Sequence, residues 1–323
     1  MKKGLLLVMV IVMVFSFAGC TKTPVVEETP TDVVAIVNGE EISIEEYNKN
    51  FKILEYTYTS TYGEEIWTEE YKGRPLKEVI IEELLNNLIK EKLIANEVVK
   101  EGITVDGEKV DSFYADFIEG VEADENLNAF YTENEISDEF IKEQIKMQLL
   151  VDEYYKLVQD EIAEDEVALE DIYENFKLEV SARHILLTSK EVAQAALSRV
   201  NKGEEDFGAI AEEISEDPES AANGGDLGYF ARGTMTPEFE TAAFSLEKGE
   251  ISGLVETGYG FHIIKVEDYR TYNSLLEEGI NSDEEDMFKD YIVSYLANES
   301  FDERISRLYD SADIVKYMEN IQQ

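Results

Sequence analysis

The chain has 323 residues, a formal net charge of −44 from 72 acidic against 28 basic residues, 44% hydrophobic and 11% aromatic residues, and one cysteine. Its length and apolar content suffice for two or three domains with real cores, and a single cysteine excludes an intrachain disulfide, so the fold must rest on burial. The acidic balance argues against a nucleic-acid partner, which needs lysine and arginine in patches against phosphate. It favours basic or neutral unfolded chains and repels anionic lipid and wall polymers; solubility or a saline habitat accounts for it equally well.

At the amino terminus Met1-Lys2-Lys3 is basic and Gly4 to Phe17 is apolar, too short for the roughly 20 residues of a bilayer span. Residues 1–19 therefore read as an export signal. Ala18-Gly19-Cys20 resembles the lipobox of bacterial lipoproteins, with Phe17 where that pattern usually has leucine. The resemblance implies lipidation of Cys20, and two acyl chains make a stable anchor without a transmembrane helix. Residues 20–31, with Pro24, Pro30 and Glu27-Glu28, read as a tether.

Val33 to Ser43 reads as a β-run with an Asn38-Gly39 turn, and Ser43 caps a helix that carries Tyr47 and Phe51 on one side. This piece resembles the opening of the SurA and PrsA chaperone arm. Ile80, Ile81, Leu84, Leu85, Leu88, Ile89 and Leu93 repeat at three and four, the mark of a helix with one buried face, which Gly102 ends. Phe140, Ile141, Ile145, Leu149 and Leu150 repeat in the same way. These stripes read as core, and part of their surface can also cradle a client. Glu161 to Asn175 is acidic and helical in character. After Asp268 the chain turns helical again, with Met287, Tyr291 and Tyr295 at spacing four, then Phe301, Ile305, Leu308 and Tyr309.

Between these helical stretches, Asn223-Gly224-Gly225-Asp226-Leu227-Gly228-Tyr229-Phe230 reads as a glycine turn leading into a strand, which places Asp226 where a carboxylate can be aimed inward. The chain holds two histidines, His184 and His262, each inside a short apolar run. Alternation puts His184 on the face of Ala182 and Leu186, and His262 on that of Ile264 and Val266. Each on its own also reads as an ordinary core histidine; the reason to read them together is the Gly-Gly-Asp turn that lies between them.

From about Val180 to Asp268 the chain resembles the parvulin-type peptidyl-prolyl isomerase domain. The matching pieces are Ala182-Arg183-His184-Ile185-Leu186, Gly224 to Phe230, Met235-x-Pro237-Glu238-Phe239, Ala243-Phe244-x-Leu246, Gly249-Glu250-Ile251-Ser252, and Gly258 to Val266. The resemblance implies a paired-histidine centre of His184 and His262 with Asp226 beside it. It also implies a proline pocket of Met235 and Phe239, with Leu227 and Phe230 as further wall, and Tyr259 near the site. For the four apolar residues, plain core packing is the competing reading.

The implied fold is α+β: a small antiparallel sheet flanked by helices (176–269), inserted into a mainly helical SurA/PrsA-type chaperone domain. That domain is built from an amino-terminal arm (32–175) and a carboxy-terminal segment (270–323) that packs back on it.

The chemistry needs no bond made or broken. An X-Pro bond turns over a barrier near 20 kcal/mol, and a site accelerates it by removing water, gripping the ring and favouring the twisted state. No cofactor is required. Glu204 to Glu219 holds eight acidic residues and no basic one, so unfolded secreted polypeptides fit better than a phosphorylated substrate. The reading that results is a lipid-anchored foldase on the extracytoplasmic face. Its alternative is a holdase that keeps the fold without catalysis. A metal centre would need three converging ligands, and no His-x-x-x-His spacing is present. A solute receptor would need repeated βαβ units, which the chain lacks.

Overall fold

The computed structural model describes residues 31–321; the export signal, Cys20 and the tether up to Pro30 lie outside the described residues. The chain opens with β1 (Val33–Val37), β2 (Glu40–Ser43), α1 (Ile44–Tyr62), the short pair β3 (Glu70–Tyr71) and β4 (Arg74–Pro75), and α2 (Leu76–Lys100). Then come α3 (Gly107–Glu122), α4 (Glu125–Glu133), α5 (Asp138–Glu164) and α6 (Glu166–Asn175). Next are β5 (Lys177–Leu187), α7 (Lys190–Val200), α8 (Phe207–Ile214), β6 (Asp226–Ala231), α9 (Pro237–Ser245), β7 (Val255–Thr257) and β8 (Gly260–Thr271). It closes with α10 (Tyr272–Glu278), α11 (Ser282–Ser311), β9 (Ile314–Lys316) and α12 (Met318–Ile321).

The architecture is α+β, with helices dominant and all sheets antiparallel. No helix among the described residues is long and apolar enough to cross a membrane. The chain divides into two compact units, one formed by the residues up to Asp160 with those from Leu296 onward, the other by Glu161–Tyr295.

In the first unit, Asn38 and Gly39 adopt φ of 51° and 88°, the left-handed pair that a two-residue hairpin requires, and join β1 to β2. Ser43 Oγ accepts the Glu46 amide at 3.1 Å and so starts α1. The apolar stripe of α2 is buried as its spacing predicts: Leu84, Leu85, Leu88, Ile89 and Leu93 share one core with Val34, Ala35, Val37, Ile42 and Tyr47. The carboxy terminus completes this core. β9 pairs with β1 (Val37 opposite Ile314), Asn320 Nδ2 donates to Val33 O at 2.7 Å, and Leu308, Ile314 and Met318 pack on it. A second cluster in this unit joins Val110, Ile136, Ile141, Ile145 and Leu149.

The second unit is built on a four-stranded sheet in the order β6-β5-β8-β7. Both faces are covered, and the burial of β5 and β8 is greatest at Val180–Leu187 and His262–Val266. Ile185, Leu187 and Ile263 face α7 and α8, while Val180, Ala182, Ile264 and Val266 face the aromatic side chains Phe230, Phe239 and Phe244. This unit extends beyond 176–269 on both sides, and 270–323 divides at Tyr295. Aromatic pairs tie these flanking residues to the unit: Tyr173 meets Tyr272 at 4.8 Å between ring centroids, and Phe176 meets Tyr295 at 5.0 Å. In addition Tyr272 OH donates to Glu285 at 2.9 Å.

Leu85 is 1% exposed and Val99 is 74% exposed, although both lie on α2. Leu85→Ala is expected to lower unfolding stability by about 2–5 kcal/mol, and Val99→Ala to change it by no more than about 0.5 kcal/mol. Urea unfolding followed at Trp67, the one tryptophan of the chain, reads both.

Candidate active site

The sheet register brings the two histidines together. In the β5–β8 pairing His184 lies opposite Ile264 and Leu186 opposite His262, so the imidazoles are diagonal neighbours on one face. Their rings stack with centroids 5.3 Å apart and 20° between planes, and the two Nδ1 atoms are 3.1 Å apart. Both are buried, at 6% and 5% exposure.

Every ring nitrogen is engaged. His184 Nε2 lies 3.0 Å from Asp217 Oδ2 and 3.1 Å from Ser220 Oγ, and His262 Nε2 lies 2.8 Å from Thr257 Oγ1. Thr257 Oγ1 in turn accepts the Tyr259 amide at 3.1 Å. Burial pushes the Asp217 carboxyl up, but hydrogen bonds from Ser220 and His184 outweigh it and bring it down to about 2. An ionised carboxylate only accepts, so the His184 Nε2 contact with Asp217 is a donation from the ring. In the tautomer assignment with both rings neutral, His262 Nδ1–H donates to His184 Nδ1 and Thr257 to His262 Nε2. Ser220 Oγ also donates to Asp217 Oδ2, and its backbone amide does so at 3.1 Å.

Burial, reinforced by His184 alongside and opposed by Asp217, lowers His262 to about 4. The pair is thus held with His262 neutral through the physiological range.

Asp226 is not part of this network, contrary to the expectation from the Gly-Gly-Asp turn. It lies opposite Arg183 in the β5–β6 register; its Oδ1 accepts the Gly228 amide at 3.0 Å, and its Oδ2 stands 3.8 Å from Arg183 Nη2. One residue of strand alternation separates Arg183 from His184, and it sends their side chains to opposite faces. The carboxylate that meets the imidazole is Asp217. Asp217, Ser220 and Thr257 escaped the sequence reading. A signal was present in Asp217-Pro218-x-Ser220, an Asp-Pro turn start whose serine returns to the carboxylate.

Phe239, 4% exposed, turns its edge to both imidazoles, 5.7 Å from His184 and 5.2 Å from His262 between centroids. It forms the wall between the pair and the core. Phe230 is core, packed against Phe239 and Phe244. Leu227 and Met235 are partly buried at the edge of that same cluster, and Tyr259 is 72% exposed. Neither imidazole has a nitrogen left for a metal, and no group of three or more metal-ligating side chains occurs among the described residues.

A stacked imidazole pair walled by a phenylalanine on a four-stranded antiparallel sheet, within a segment matched over residues 184–268 by the PPIC-type PPIase domain, defines a parvulin-type peptidyl-prolyl isomerase. Residues 1–145 match the SurA-like N-terminal domain. The chain is 37% identical over 305 residues to the foldase protein PrsA of Caldanaerobacter subterraneus subsp. tengcongensis, covering 91% of this chain and 90% of that one. To the foldase protein PrsA of Oceanobacillus iheyensis it is 32% identical over 254 residues, 78% of this chain and 83% of the other. The chain belongs to the PrsA foldase family. Among solved structures, a peptidylprolyl isomerase (PrsA) from Bacillus anthracis matches with 24% identity and a TM-score of 0.41, covering 70% of this chain and 96% of that one.

A pH test follows from His262. Its folded value lies below the unfolded value of about 6.5, so the unfolded chain binds a proton that the folded chain does not between about 6.5 and 4. The contribution is full above the upper value, declines as pH falls through this window, and is lost below it. Wild-type stability is therefore expected to fall more steeply than that of His262→Gln between pH 6.5 and 4 in urea titrations; parallel curves would show a solvated ring.

Proposed function

We propose that this chain is a lipid-anchored foldase of the extracytoplasmic face that rotates X-Pro bonds in unfolded secreted polypeptides, with His184, His262 and Asp217 at its reacting centre. The observation that carries this reading is the hydrogen-bond chain from Thr257 through the imidazole pair to Asp217, beside an apolar wall. Each ring nitrogen is already paired, so the histidines offer no free proton and form a rigid, weakly polar floor. Such a floor suits a reaction in which only the conjugation of an amide is lost.

Met235 and Leu227, at the exposed edge of the Phe239 cluster, are the residues placed to grip a proline ring. Water excluded by that contact no longer solvates the planar, more polar amide, and the twisted state gains relative to it. Each ~1.4 kcal/mol so gained is a tenfold rate.

The arm, made from residues 32–160 and the carboxy-terminal segment from Leu296, is assigned the holding of clients. The anchor is assigned to Cys20, and the net charge of −44 keeps the body off an anionic surface while attracting basic or neutral chains. Partners are unfolded secreted polypeptides and, through the acyl chains, the membrane.

His184→Ala and Asp217→Asn are each expected to lower kcat/KM for a short X-Pro peptide by about tenfold or more, while prevention of client aggregation stays near wild type. A wild-type turnover equal to the buffer rate would instead favour a holdase that retains the fold. Separately, Cys20→Ala is expected to move the protein from the membrane fraction to the soluble fraction. Continued membrane retention would mean that the apolar leader itself is the anchor.

A further inference from the structure

Arg183 occupies the sheet face opposite the imidazole pair, one residue before His184. Its Nη1 donates to the carbonyls of Asn223 and Gly224 at 3.3 and 3.1 Å. Two carboxylates flank it: Glu267 Oε1 at 3.6 Å from Nε, and Asp226 Oδ2 at 3.8 Å from Nη2. The guanidinium fills a slot made by two glycines. A Cβ on Gly224 would stand 2.6 Å from Nη1, and one on Gly208 would stand 3.3 Å from it. Gly225 is held as closely, because its Cβ would fall 2.1 Å from the His184 carbonyl oxygen.

The turn that Arg183 grips leads directly to the reacting centre. Asn223 and Gly225 amides both donate to the Ser220 carbonyl, each at 2.9 Å, and His184 N donates to Gly225 O at 2.8 Å. Ser220 and Asp217 then meet His184 Nε2. A continuous series of hydrogen bonds therefore runs from a guanidinium on one face to the tautomer-setting carboxylate on the other.

We propose that Arg183 is a positioning residue for the isomerase site, acting through the 220–225 turn on Asp217 and Ser220 and so on the Nε2 proton of His184. This rests on the assignment of the imidazole pair as the reacting centre. Hydrogen bonds from a charged donor are stronger than neutral ones, and small misplacements of supporting groups carry large rate penalties. The near end of the same loop has a separate tie, Glu216 N to Leu186 O at 2.8 Å, so loss of Arg183 loosens the turn without releasing the loop. On this view the Gly-Gly-Asp motif builds the clamp: Gly224 clears space for the guanidinium, Gly225 lies against β5, and Asp226 helps to aim Arg183.

The test compares Arg183→Met and Arg183→Lys in the full mature chain. The readouts are kcat/KM on a short X-Pro peptide and the ring ¹⁵N spectrum, in which only two histidines contribute. Arg183→Met is expected to lower kcat/KM by about tenfold and to shift the His184 ring signals towards a tautomer mixture, with Arg183→Lys restoring part of both. A folded Arg183→Met chain with wild-type ring shifts and turnover within about twofold overturns the proposal, whatever happens to its melting temperature. If Arg183→Met does not fold, Glu267→Gln keeps the guanidinium and removes one of the carboxylates that aim it; unmoved His184 signals there overturn it equally. His184→Ala is run alongside. Wild-type turnover in that variant sinks the assignment of the reacting centre, whereas the ring spectrum of the Arg183 variants decides the clamp in either case.

Discussion

The hydrogen bond from His184 Nε2 to Asp217 is the contact on which the arrangement of the imidazole pair depends. A carboxylate brought down to about 2 cannot donate, so it holds a proton on Nε2, and in the neutral ring Nδ1 is then the acceptor. That choice passes to His262 and then to Thr257, and it fixes four ring nitrogens with one charge. Buried polar groups are tolerated only when fully partnered. Here the partnering is complete, so two imidazoles lie in a phenylalanine-lined core without a penalty for unmet donors.

The sheet itself has to be arranged for this. The diagonal contact of His184 and His262 depends on the β5–β8 register, because a slip of one residue would send one ring to the α7–α8 face. The bulge between Ser181 and Arg183 in the β5–β6 pairing falls immediately before the histidine, where the strand has to release its neighbour and admit the Gly224-Gly225 turn. The two faces of β5 consequently have different work: Arg183 holds the loop, and His184 receives the side chains that the loop delivers.

An isomerase of this kind needs little chemical apparatus. Its demands are a dry apolar edge, a polar floor that neither gives nor takes protons, and a rigid loop. The strong acidic excess belongs to a different level of organisation, since 72 acidic against 28 basic residues act on long-range encounter, while Asp217 is the carboxylate hydrogen-bonded to the buried pair.

Local structure was legible in the chain. Asn38-Gly39 marks the first hairpin, Ser43 the first cap, the three-and-four repeat from Ile80 to Leu93 the buried face of α2, and the apolar runs around His184 and His262 their strands, because each depends on residues close in sequence. The parvulin-type class was legible too, through motifs in order from Ala182 to Val266. The choice between Asp217 and Asp226 was not. Both carboxylates adjoin turns, and only the pairing of Arg183 with Asp226 across two strands shows that one points away from the imidazoles. The contacts of Tyr173 with Tyr272 and of Phe176 with Tyr295 were equally out of reach, since these pairs lie about a hundred residues or more apart in the chain. By itself, then, the sequence determined the elements, the buried faces and the kind of reaction. Tertiary structure alone decided which carboxylate meets the His184 ring, because strand register and face are properties of two segments meeting and of neither one separately.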